Sequence, residues 1–338
     1  MLKKVIIGVV VFAVLILCGW KLFFSEGKVD DQLKNLNTTM EAYHMEGNMQ
    51  IGEGEDVRNF YVTVDFKDDE KDLFRISLLD KDINQEQILL RNNEGVYVLT
   101  PVLNQVYTFK GDYPLNAPKP YLYHSFIDAL KGNYEVINNV DGYTVTYDCK
   151  YDNEPTWVKQ EVKLSKDLKP VWTYVYDKEN KIVAKVMFTN VDFAPTFKDD
   201  YFTVDTNMSI AKDNVSSSHV STSIEDLPLI PAVDSSVSTL KEQTKITDDL
   251  GKISYILTYS GSKSYTVFQT LVESNKEDNY QSITVSGTPI DTMYGIGFIN
   301  GKRLSYLYHD VSYEIYSSDL SVSEMVDIVT NMERVGVK

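Results

Sequence analysis

Four histidines, two cysteines and several carboxylate runs are the residues of this chain with chemistry to offer, and their spacing assembles no familiar catalytic set. His44, His124, His219 and His309 stand far apart, without the closely spaced His, Cys or carboxylate partners that a metal centre uses. Cys149 lies in a strand-like segment, where a thiol reads as a small apolar core group. Cys18 lies inside an apolar run, so the two form no pair. No Gly-x-Ser-x-Gly elbow occurs. Gly295-Ile296-Gly297-Phe298-Ile299-Asn300-Gly301 is rich in glycine, but its spacing is wrong for a dinucleotide loop and no helix follows it. The stretch Asp65–Asp72 is acidic, yet it lacks the ligand spacing and bidentate glutamate of a calcium loop, and Lys67 and Lys71 mark it as a solvated hairpin tip. Glu53-Gly54-Glu55-Asp56 reads the same way. Catalytic residues, metal ligands and cofactors are therefore expected to be absent, and binding rather than catalysis is the expected activity.

The elements that would position a binding site are mostly strands. Asp30 or Asp31 caps an expected helix whose one face carries Leu33, Leu36, Met40 and Tyr43. Period-two alternation then predicts strands at Phe60–Phe66, Leu73–Leu78, Gln87–Arg91 and Val96–Leu99. A helix is predicted over Tyr121–Leu130, ended by Gly132. Strands follow at Tyr134–Ile137, Tyr143–Tyr151, Trp157–Leu164, Val171–Tyr176 and Ile182–Phe188. So many strands with few helices predict an α+β fold built on one large, curved antiparallel sheet. Residues 211–239 shift to serine and proline and read as a linker, whose apolar Leu227–Pro231 piece is able to pack on a domain. Residues 240–338 then read as a smaller antiparallel sheet domain. Its expected strands include Ile253–Tyr259, Ser264–Val272, Ser282–Val285 and Met293–Ile299. Asn300-Gly301 signals a type I′ hairpin before Arg303–Tyr308 and Val311–Tyr316. Ser321 and Glu324 form a capping box for a last helix, with Val322, Met325, Val329 and Met332 along the face that packs on the sheet.

The N-terminus sets the compartment. Lys3 and Lys4 precede an uncharged apolar run from Val5 to Trp20, followed by Lys21-Leu22-Phe23-Phe24. A helix over Val5–Phe24 is about 30 Å long, one hydrocarbon core. The two lysines stay in the cytoplasm and the rest of the chain is extracytoplasmic. Residues 1–24 are thus the expected membrane anchor or signal, and no Ala-x-Ala-like pattern marks a cleaved secretory signal. Leu15 and Cys18 fall where a lipoprotein signal would place them, but Leu17 occupies the position that wants a small residue. Span length and this mismatch favour an uncleaved signal anchor over lipidation at Cys18. The net charge of −16 excludes the basic face that nucleic acid needs and disfavours a surface lying on anionic headgroups.

The segment from Val96 to Phe109 contains Thr100-Pro101-Val102-Leu103-Asn104, and it is followed by Tyr113-Pro114-Leu115-Asn116 and Pro120-Tyr121-Leu122. Together these elements resemble the LolA/RseB-like lipoprotein-carrier family, closest to its Gram-positive sporulation and germination lipoproteins. The resemblance covers about Val29 to Asp205, and residues 29–210 are the expected LolA-like domain. It implies an incomplete antiparallel β-barrel with helices across its mouth and an apolar cavity between sheet and helices. It further implies one of two roles. The first is a membrane-fixed scaffold that engages an envelope protein, such as a cell-wall hydrolase, in sporulation or germination. The second is a carrier or sensor that holds a lipid, acyl chain or lipopeptide. Candidate cavity residues under the second role are Phe60, Val62, Leu89, Tyr97, Leu99, Val102, Leu103, Tyr107, Phe109, Leu122 and Phe126, with plain core packing as the alternative for each. A lipid binder requires an underfilled inner face with a pocket of roughly 300 Å³ or more. A scaffold requires a filled core and a free strand edge or exposed apolar patch.

Overall fold

The computed structural model describes residues 29–36, 40–52, 57–109, 118–151, 154–214, 222–231, 236–274, 279–292 and 295–334. The expected membrane segment, with Cys18, and the Tyr113–Asn116 element lie outside these residues.

The first part of the chain begins with a helix over 29–35 (α1). Six strands follow: β1 (Ala42–Ile51), β2 (Arg58–Lys67), β3 (Leu73–Asp80), β4 (Gln85–Arg91), β5 (Val96–Thr100) and β6 (Gln105–Phe109). Helix α2 (Tyr123–Ala129) separates them from β7 (Glu135–Asn139), β8 (Gly142–Asp148), β9 (Trp157–Ser165), β10 (Pro170–Asp177) and β11 (Ile182–Asp192). Helix α3 (Val204–Asn214) leads toward the second part. That part holds β12 (Leu229–Pro231), β13 (Ser238–Thr247), β14 (Ile253–Gly261), β15 (Tyr265–Leu271), β16 (Gln281–Val285), β17 (Thr288–Thr292), β18 (Gly295–Asn300), β19 (Arg303–Tyr308) and β20 (Val311–Tyr316). It closes with α4 (Val322–Thr330) and β21 (Met332–Arg334).

The fold is α+β with two open sheets. One has 12 strands in the order β16-β6-β5-β4-β3-β2-β1-β11-β10-β9-β8-β7, and the other has 7 in the order β13-β14-β15-β20-β19-β18-β17. The large sheet curls around α2. Tyr123 lies 5.8 Å from Tyr43 on β1, His124 lies 4.2 Å from Phe66 on β2, and Phe126 lies 6.3 Å from Tyr147 on β8. A flat sheet would set β2 and β8 about 24 Å apart, more than a helix about 10–12 Å wide can bridge. A bulge at Glu46/Gly47 bends β1 against β11, and a Cβ at Gly47 would stand 2.9 Å from the Met187 carbonyl oxygen.

Several local expectations change. The first helix ends before β1, so Tyr43 faces the core from a strand and not from a helix. Leu227 and Leu229 of the linker are buried in the second core, and β12 pairs with β21. The strand expected at Ser282–Val285 leaves its own domain and adds to the first sheet, parallel to β6. The Asn300-Gly301 turn has a different frame. Asn300 pairs with Arg303, so Gly301 (φ 60°) and Lys302 form the two-residue loop. A positive φ at the first central residue is the type II′ pattern, not type I′. The hairpin with two left-handed residues is His309-Asp310 (φ 50° and 62°) between β19 and β20. The capping box holds: Ser321 Oγ accepts from the Glu324 amide, and Glu324 Oε2 accepts from the Ser321 amide.

Candidate binding surfaces

Alternation along β1 and β2 sends Tyr43, Met45, Met49, Phe60, Val62, Val64 and Phe66 to the concave face, where all are buried. Phe60, Val62, Leu89, Phe109, Leu122 and Phe126 join this one cluster, with Tyr107 packed against it. Burial pushes the Tyr107 hydroxyl up to about 12, and that hydroxyl donates to Gln105 Oε1 at 2.7 Å. Burial also pushes His124 down, and its Nδ1 shares a hydrogen bond with the Tyr43 hydroxyl at 3.0 Å. The other candidates lie elsewhere. Leu99 packs on the opposite, convex face with Ile88, Leu90, Phe202 and Met208, and half-buried Tyr97 rests against that cluster. Val102 and Leu103 sit in a 3₁₀ turn over Pro101–Leu103, with Leu103 buried. The structure thus brings together six candidates and Tyr107 and separates the remaining four.

The concave face is plugged from the second domain. Ile296 and Phe298 of β18 belong to the first core. Phe298 lies 5.7 Å from Phe109 and 6.4 Å from Tyr107, and Gln87 Oε1 accepts from the Ile296 amide at 2.7 Å. A cavity of about 270 Å³ remains at this seam, and its lining includes Val98, Tyr107, Ile283, Ile296, Phe298, Arg303 and Glu314. Beside Phe60 and Leu78 the free space is about 30 Å³, room for one water.

The convex face carries a polar network that no motif or spacing announces. His44 Nδ1 lies 2.6 Å from Asp65 Oδ1 and His44 Nε2 lies 2.8 Å from Glu46 Oε1. Asp65 is fully buried. Its Oδ2 accepts from the Tyr201 hydroxyl at 2.8 Å and stands 3.7 Å from Arg75 Nη1. Arg75 Nε donates to Asn207 Oδ1 at 2.6 Å, and Arg75 Nη2 pairs with Glu86 at 3.3 Å. Both ring nitrogens of His44 face carboxylates, which raises its pKa, chiefly through the bond to Asp65. The network ties α3 and the loop before it to the sheet.

The large sheet ends in β16 and β7 and the small one in β13 and β17. β7 ends the large sheet, with Ile137 58 % exposed. β13 ends the small one and is exposed from Thr239 to Thr247, carrying Leu240 and Ile246. No group of three metal-ligating side chains occurs among the described residues, and no described helix is long and apolar enough to cross a membrane.

These features define an α+β protein of the open-sheet type, its concave face filled by its own helices and by an appended second domain. The chain belongs to the family of the sporulation protein YdcC of Bacillus subtilis, with which it is 30% identical over 302 residues, 86% of each chain. That relative bears out the sporulation side of the resemblance read from the sequence. No family model matches the chain. Among solved structures it is similar to the MucA/MucB complex of Pseudomonas aeruginosa (11% identity, 92% of this chain, 100% of that one, TM-score 0.31). It is also similar to an outer membrane lipoprotein-sorting protein domain from Vibrio parahaemolyticus (11% identity, 53% and 97%, TM-score 0.30). At these scores the neighbours lend no residue-level role to this chain.

Proposed function

We propose that this protein is a sporulation- or germination-associated scaffold, held at the outer face of the cell membrane by residues 1–24, that engages a protein partner in the cell envelope. A cell-wall hydrolase is the partner class that the family resemblance implies. The observation that carries the reading is the filled concave face: Phe60, Val62, Phe109, Leu122 and Phe126 are buried together with Tyr43, Phe66 and Trp157. These side chains fill the space an acyl chain would take, whereas the exposed β13 edge offers a row of unpaired backbone groups to an added strand. Lys241 and Lys245 on β13 discourage indiscriminate pairing and favour a partner strand with carboxylates. A second reading, an acyl-chain or lipopeptide binder, is favoured by the seam cavity of about 270 Å³ and takes Val98, Tyr107 and Phe298 as its lining.

Native mass spectrometry of the full chain released from detergent separates the two. Mass added by a phospholipid or acyl chain that survives activation supports the carrier. A protein of bare mass, unchanged after incubation with membrane extract, supports the scaffold. The same spectrum reads whether Cys18 is lipidated and N-terminal or whether the anchor is intact.

A further inference from the structure

We propose that the cleft between the α3 entry loop and β16 is a saccharide site, taking a neutral sugar of about disaccharide size. The cleft has a volume of about 420 Å³, within the range of small-ligand pockets. Both domains build it. Tyr97 and Phe202 come from the first, and Tyr280 and Ser282 enter with the strand that the second domain donates. The half-buried Tyr97 and Tyr280 rings give apolar faces for the C–H faces of a pyranose, while Phe202 is itself buried in the core under α3. Between them stand acceptors for sugar hydroxyls: Glu94, Asp199 and Asp205.

The walls are held in place before any ligand arrives. Asn92 Oδ1 accepts from the amides of Glu94 (2.9 Å) and Gly95 (3.1 Å), and Asn92 Nδ2 donates to the Phe202 carbonyl at 3.1 Å. The Tyr280 hydroxyl donates to Asp205 Oδ1 at 2.9 Å, which joins the two domains across the cleft. Burial and the neighbouring carboxylates hold the Tyr280 hydroxyl above its ordinary pKa, so it stays a donor. No lysine, arginine or histidine among the described residues lines the cleft, and its three carboxylates repel an anionic ligand such as a phosphate. A simple amine would meet the carboxylates but not use the Tyr97 and Tyr280 rings or the Thr108 and Ser282 hydroxyls. A sugar ring answers both kinds of group.

The test is saturation-transfer NMR on the full chain in a sugar-free polyoxyethylene detergent, with cellobiose, maltose and N,N′-diacetylchitobiose as probes and spermidine as the cationic control. Transfer to at least one disaccharide is expected. Tyr280→Ala should weaken it about tenfold, the loss of one stacking partner and one cross-domain bond. Glu94→Gln, on an exposed turn, should weaken it several-fold without touching the fold, which keeps the test valid if Tyr280→Ala unfolds. Absence of transfer from all three sugars overturns the proposal. So does transfer that Glu94→Gln leaves unchanged, or binding of spermidine alone.

Discussion

Replacing His44 with glutamine should reveal how strongly the convex network holds α3 to the sheet. At pH 6 the imidazolium makes charge-assisted bonds to Asp65 at 2.6 Å and Glu46 at 2.8 Å, and its side chain is only 22% exposed. A hydrogen bond to a charged group contributes about 1.5–3 kcal/mol, and the neutral amide restores about 1 kcal/mol of it. Asp65 keeps its bond from Tyr201, so the expected loss is about 1–2 kcal/mol. The sign with pH follows from linkage. The folded pKa of His44 is raised above its ordinary 6.5, so the stabilisation is complete below 6.5 and disappears as pH rises through the folded value. A second group also makes stability fall as pH rises: burial, with Asp327 beside it, pushes the Glu154 carboxyl up to about 7. The readout is therefore the difference between wild type and His44→Gln, in which the Glu154 contribution cancels. Urea unfolding followed by fluorescence reports on the right domain, because Trp157 and Trp172 both lie in the large sheet. The difference should shrink from pH 6 to pH 9. A difference that stays constant or grows with pH would refute the assignment of a charged His44 between two carboxylates.

The other predictions concern the cores and the seam. Phe126→Ala removes a ring from the concave cluster and should cost about 3–5 kcal/mol in urea unfolding, whereas a ring lining an open lipid cavity would cost far less. Leu99→Glu buries a carboxylate beneath α3, so the variant should fail to fold at neutral pH, read by loss of near-ultraviolet circular dichroism. Gln87→Ala strands the Ile296 amide and should loosen the two domains by about 1–3 kcal/mol, seen as faster proteolysis between them with each core intact. Ser321→Ala removes the α4 cap and should lower the stability of the second domain by about 1 kcal/mol, measured by thermal unfolding.

The concave face was legible because alternation survives wherever one side of a strand meets a core, as at Phe60, Val62 and Val64. The faces of β4 and β5 were harder to read. Ile88-Leu89-Leu90 and Val98-Leu99 are apolar on both sides, because α3 covers the back of these strands. Alternation cannot say which side is the cavity, and Tyr97 and Leu99 lie on the face away from Phe60 and Val62. Helix α3 itself gave little signal. Its buried apolar contacts reduce to Met208 and Ala211, while Asn207 serves through its amide and not through hydrophobicity. Strand β13 was missed for a related reason. Both of its faces are exposed, so only backbone pairing with β14 defines it.

The exchange of β16 was invisible for a different reason, and it decides how the two domains work together. Strand pairing is a long-range choice, and nothing in Gln281–Val285 states whether its partner is 20 or 170 residues away. Once β16 is added to β6, the polypeptide that enters it carries Tyr280 to the outer cleft, and the strands that leave it deliver Ile296 and Phe298 to the concave core. One short parallel pairing therefore closes the cavity on one face of the sheet and opens a cleft on the other. Displacing β16 would change both faces at once. A ligand across the cleft should brace the pairing through the Tyr280–Asp205 bond, and a partner strand bound at β13 would sit on the domain that donates it.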